Sequence, residues 1–142
     1  MKALTLWQPW ASLVALGHKR VETRCWSTKY RGPLAIHAAA KKPNWLGVSA
    51  ESESFRREIS KLKIDERTLP CGVVLCTVGL VSVMQTSEDV VDDLSEQEYI
   101  FGNYEEGRYA WFFENLKTFP VPIRAKGNRM LWNWNQTESA RK

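Results

Sequence analysis

The run from Val73 to Val83 limits what this chain can become more than any other segment. It is dense in Val and Leu and follows a break at Pro70 to Gly72. Branched apolar residues in such a run favour a strand. The isolated Gly79 inside it marks a kink or a bulge. A long strand that bends is expected at the centre of a barrel.

Shorter elements surround it. Lys2 to Leu6 alternates and reads as a strand. Gln8-Pro9 opens a helix that carries Trp10, Leu13 and Val14 at helical spacing and stops at Gly17. Val21 to Trp26 is extended, Arg31 to Pro33 a turn, and Leu34 to Ala40 a buried strand. Residues 47–63 predict an amphipathic helix with Phe55, Ile59 and Leu62 on one side. The segment 88–100 is a short helix or a loop. Tyr109 to Phe113, Phe119 to Ile123 and Met130 to Trp134 predict three further strands. The pattern is α+β: a small, partly open mixed β-barrel with flanking helices, rather than a βαβ sheet. A length of 142 residues suits one core. The expectation is one domain over 1–135 and a polar tail over 136–142.

Several classes are excluded. Apolar residues make up 44% of the chain, enough for a packed interior. No run of about 18 apolar residues offers a membrane span, and residues 1–6 do not resemble a secretory signal. The three cysteines, Cys25, Cys71 and Cys76, form no CxxC and no even framework. With only His18 and His37 beside them, they read as reduced thiols of a cytoplasmic protein, with no metal and no cofactor.

Charge is unevenly spread. Residues 1–42 carry eight Lys or Arg against the single acid Glu22. Residues 88–106 carry eight acids and no base, and residues 107–142 seven bases and two acids. Two basic ends folded onto one face would attract a polyanion; ordinary solvated charge is the competing account. Seven tryptophans are many for this length, and Trp7, Trp10 and Trp26 lie in the most basic third. Aromatics interleaved with cations suit a site that stacks bases and neutralises phosphates.

The densest constellation is Gly17-His18-Lys19-Arg20-Val21-Glu22-Thr23-Arg24. On a strand, Glu22 and Arg24 share a face while Thr23 points the other way. A turn after Gly17 would bring Lys19 round to Glu22. The cluster is either a salt-bridged corner or the centre of a site.

These residues resemble the ASCH (activating signal cointegrator-1 homology) family, whose pattern G-x-K-x-x-E-x-R is met by Gly17, Lys19, Glu22 and Arg24. Further likeness lies in Trp7-Gln8-Pro9-Trp10-Ala11-Ser12-Leu13, Tyr30-Arg31-Gly32-Pro33-Leu34, Ala40-Lys41-Lys42-Pro43, and the closing Gly127-Asn128 with Trp132. It runs from residue 3 to about 134 and is similar to the stand-alone bacterial and viral members. The resemblance implies a PUA-like barrel with the signature residues lining a cleft, and binding of RNA, single-stranded nucleic acid or a nucleotide. As the alternative it implies a metal-independent hydrolase, either a ribonuclease or an amidohydrolase on a modified nucleoside. The amidohydrolase subgroup resembles G-x-K-x-x-T-x-R, and this chain has Glu22 where that group has its nucleophilic Thr.

The expected nucleic-acid contacts are Gln8, Trp10, Lys19, Arg24, Trp26, Lys41, Lys42, Lys126 and Arg129. Trp26 is favoured over Trp10 as a base platform, and Gln8 either reads a base edge or serves the helix start. As an enzyme, the chain would use Lys19, Glu22 and His37 without metal. His37 would act only if it leaves its apolar strand and faces the cleft. The acidic stretch 88–106 reads as a solvated face turned away from the ligand, open to a protein partner.

Overall fold

A computed structural model describes residues 1–41 and 52–136. Among them, six strands form one sheet in the order β2-β5-β4-β3-β1-β6. The strands are β1 (Lys2–Leu6), β2 (Val21–Arg24), β3 (Gly32–Ala38), β4 (Val73–Gln85), β5 (Tyr109–Arg124) and β6 (Leu131–Asn133). The helices are α1 (Trp10–Ala15), α2 (Glu53–Lys61), α3 (Glu88–Asp92) and α4 (Glu96–Ile100). β1 runs parallel to β3, and every other pairing is antiparallel.

The long central strand is β4. Its register against β5 shifts three times: between Val74 and Cys76, between Thr77 and Gly79, and between Leu80 and Ser82. Each shift bends the strand and adds twist, so the sheet curls into a half-barrel. The fold is the mixed, PUA-like α+β architecture that the sequence predicts. The two strands expected over 109–123 are one, β5, which passes through Asn115 in the left-handed region at φ 54°. Asn tolerates that conformation, so the strand turns a corner without ending. Beyond Phe112, β5 has no strand partner on its β2 side among the described residues, and Pro120 and Pro122 lie in that stretch.

The core sits between the sheet and α1. Leu4, Leu6, Leu34, Ile36, Leu75, Val78, Leu80 and Trp111 pack against Ala11, Val14 and Ala15. Gly17 at φ 83° then releases the chain from α1 toward β2, a conformation suited to a residue without Cβ. A smaller cluster ties the helices together: Leu13 of α1, Phe55 and Ile59 of α2, and Phe101 just after α4. Helix α2 is shorter than the predicted 47–63, of which 47–51 lies outside the described residues. Its start is set by Ser52, whose hydroxyl accepts from the Phe55 N–H at 3.0 Å. Ser87 and Ser95 cap α3 and α4 in the same way, dividing the acidic segment into two short helices.

β1 outruns β6. Pairing ends at Leu4 with Leu131, and Met130 leaves the register at φ 54°. Thr5 therefore has no β6 partner, and the Arg24 Nη2 donates to its carbonyl at 2.6 Å instead.

Candidate functional site

The corner after Gly17 folds as a buried ion cluster. The Lys19 side chain has no exposed surface, and its Nζ lies 3.7 Å from Glu22 Oε1. It donates to the Phe101 carbonyl at 3.0 Å, which also accepts from Trp10 Nε1 at 3.1 Å. That carbonyl lies at the C-terminal end of α4, where backbone oxygens lack helical partners. Burial lowers the Lys19 pKa from its ordinary value, while the carboxylates of Glu22 and Glu98 pull upward. Arg24 stands on the other side of Glu22, with Nε 3.6 Å from Oε2. Its Nε is buried without a hydrogen-bond partner.

A cleft of about 240 Å³ opens beside this cluster. One wall carries Trp7, Trp10, Glu22, Thr23 and Arg24; the facing wall is Ile100 to Asn103 with Arg108 and Phe55. The Asn103 N–H donates to Thr23 Oγ1 at 3.1 Å, and Arg108 donates to the carbonyls of Asn103 and Thr23 at 3.1 and 3.2 Å. These bonds clamp the facing wall to β2. Trp7 is 48% exposed at the rim, while Trp10 leans on Phe55 at 5.5 Å between centroids. The cleft lining thus holds two guanidinium groups and one carboxylate.

Of the residues expected to meet nucleic acid, Trp10 and Arg24 line this cleft, and so does Glu22. Lys19 holds the wall from inside, so a phosphate contact there is corrected: an ammonium with no exposed surface cannot touch one. Gln8 serves the helix start. It is 1% exposed, donates to Ser12 Oγ and the Pro70 carbonyl at 2.8 and 2.7 Å, and accepts from the Ser12 N–H at 2.9 Å. Trp26 is not a cleft residue. Its ring packs edge-on against buried Trp111 at 4.8 Å, and its carbonyl accepts from Trp111 Nε1. Lys41, Lys126 and Arg129 are exposed but outside the lining, and Lys42 lies outside the described residues.

His37 is also absent from the cleft. Its Nε2 lies 2.7 Å from the Ala125 carbonyl and its Nδ1 3.1 Å from Thr5 Oγ1. Thr5 Oγ1 accepts from Trp132 Nε1 at 3.0 Å. A neutral ring with its proton on Nε2 satisfies this chain of three bonds. Burial lowers the His37 pKa from its ordinary value. The catalytic reading of His37 gives way to the core one, because both ring nitrogens are engaged.

The acidic stretch does not turn away as a whole. Phe101 inserts between Leu13 and Phe55 and carries Ile100 to Asn103 to the cleft. The Glu98 carboxylate accepts from the N–H groups of Arg20 and Val21, at 3.0 Å each at closest. Sequence reasoning missed Arg108, Asn103 and the rim position of Trp7. Arg108 had one usable signal: it is the first base after forty residues, 68–107, that contain none, and a lone cation there finds its partners across the fold.

A curled mixed sheet whose G-x-K-x-x-E-x-R residues converge beside a helix-walled cleft defines a small PUA-like domain. The chain belongs to the ASCH domain family, whose model matches residues 4–123. It is 31% identical over 131 residues to human Activating signal cointegrator 1, and 30% identical over 131 residues to the mouse protein of the same name. Each match covers 91% of this chain and 21% of the relative, so the chain spans about a fifth of the length of those proteins. In structure it is similar to ASCH from Zymomonas mobilis, with TM-score 0.56 at 17% identity, covering 98% of this chain and 92% of the other. A mutant form of that bacterial protein gives TM-score 0.54 at 16% identity, over 99% of this chain and 93% of the other.

Proposed function

We propose that residues 1–135 act as one ASCH unit that binds single-stranded nucleic acid, RNA foremost, with one base held in the cleft. The observation that carries this reading is a half-exposed indole and a partly exposed guanidinium lining a single cleft. Trp7 offers a stacking surface at the rim, and Arg24 a guanidinium side chain that is 25% exposed. Stacking on an aromatic ring suits any base, and a guanidinium suits a phosphate or a carbonyl edge. Arg108 adds a second cation, and Glu22 an acceptor for a base amino group. The buried Lys19 holds the Glu22 carboxylate in place.

Oligonucleotide titration tests this. Binding should quench tryptophan fluorescence and weaken as salt rises. Arg24→Ala should cost at least about tenfold in affinity, the loss of a charge-assisted contact. An unchanged affinity sinks the site.

A second reading rests on the Lys19–Glu22 pair. A carboxylate on the cleft wall beside a buried amine can accept a proton from water. That would serve a metal-independent ribonuclease, or an amidohydrolase on a modified nucleoside. Turnover in EDTA that Glu22→Gln abolishes would establish it; turnover that survives Glu22→Gln would refute the assigned base.

A further inference from the structure

A larger hollow lies beside Trp132, and the reading above leaves it without a role. It measures about 570 Å³, and its lining includes Gly72, Arg124, Lys126, Asn128 and Asn133. No carboxylate lines it. Arg124 and Lys126 are exposed, and neither forms an ion pair among the described residues. Lys41, also exposed, directly follows Ala40 of the same rim. Cations and side-chain amides without an acid are the groups that meet phosphate oxygens.

Thr5 joins this hollow to the cleft. Its carbonyl accepts from Arg24, which lines the cleft, and its hydroxyl oxygen from Trp132, which lines the hollow. The loop bearing Lys126 presses on the same residue: a Cβ at Gly127 would lie 2.7 Å from Thr5 Oγ1. Thr5 is therefore bonded to one lining residue of each depression.

We propose that this hollow is a second subsite for the same nucleic-acid strand. It takes the phosphodiesters of nucleotides adjoining the one in the cleft, and it reads no base. This rests on the cleft reading, and it predicts that affinity grows with strand length because the second contact becomes intramolecular.

Fluorescence anisotropy with labelled uridylate trimer and decamer tests it, on the wild type and on Arg124→Glu/Lys126→Glu. Both substituted side chains are exposed, and trimer binding reports that the cleft is intact. The wild type should bind the decamer about a hundredfold more tightly than the trimer, beyond the gain from extra registers. The double variant should hold trimer affinity within about twofold and cut the length gain to about tenfold or less. Its salt slope with the decamer should fall by about 1.4, for two lost phosphate contacts. Wild-type affinities that differ by about tenfold or less, an unchanged slope, or equal weakening of both lengths would overturn the second subsite while leaving the cleft reading standing. Failure of the wild type to bind either length at low salt would overturn both.

Discussion

The Arg24 guanidinium donates to the Thr5 carbonyl at 2.6 Å, linking β2 at one edge of the sheet to β1 beside the other. The same side chain stands 3.6 Å from Glu22. One residue thus closes the curled sheet where β6 has run out and presents charge to the cleft.

Because of that double duty, Arg24→Ala should lower stability as well as affinity. A lost hydrogen bond from a charged donor costs about 1.5–3 kcal/mol. Arg24→Lys should restore charge but not the planar fork. Denaturant unfolding and a salt series should show Arg24→Lys with a near-wild-type salt slope, reduced affinity and reduced stability.

Trp7→Ala should separate binding from folding. The ring is half exposed, so stability should move by no more than about 0.5 kcal/mol. Affinity for an oligonucleotide should fall by about 1–3 kcal/mol, the worth of one stacked base. Thermal melts and binding titrations on one preparation give both numbers.

Lys19 and Glu22 should behave as a coupled pair. Lys19→Met leaves a largely buried carboxylate without its ammonium partner, at a cost of roughly 3–5 kcal/mol. Adding Glu22→Gln should recover much of that loss. A double-mutant cycle by urea denaturation measures the coupling, and additive losses would contradict the burial described here.

His37 should give the fold an acid sensitivity. Its pKa is lowered in the native state, chiefly by burial. As pH falls below about 6.5, the unfolded chain takes up the proton more readily than the folded one. Stability should therefore fall on acidification and level off only below the native pKa. Urea midpoints between pH 7.5 and pH 5 should decline less steeply for His37→Asn than for the wild type.

Gly127→Ala should be costly although the residue lies in a loop. Its Cβ would come within 2.7 Å of both His37 Cε1 and Thr5 Oγ1. Overpacking of this kind costs about 1–3 kcal/mol, readable in a denaturant titration.

Local patterns carried well from sequence to structure where neighbours in the chain decide the outcome. Lys2–Leu6 alternates and is a strand, and Gly17 ends the first helix. The corner from Lys19 to Arg24 could be located because its charges are close in sequence. What stayed hidden depends on partners far along the chain. Lys19 looks like a surface cation until the Phe101 carbonyl, 82 residues away, arrives to receive it. Trp26 looked like the freer ring, but the packing of Trp111 decides that Trp26 is taken and Trp7 is left open. The acidic segment read as uniform solvated charge. Its apolar end, Ile100 and Phe101, was the cue that part of it turns inward.

The outer margin of β5 has a further consequence. An unpaired margin is where a second copy can add its own strand. Pro120 and Pro122 remove two backbone donors from the stretch where such zippering would begin. Neighbouring copies can then sit side by side without fusing their sheets.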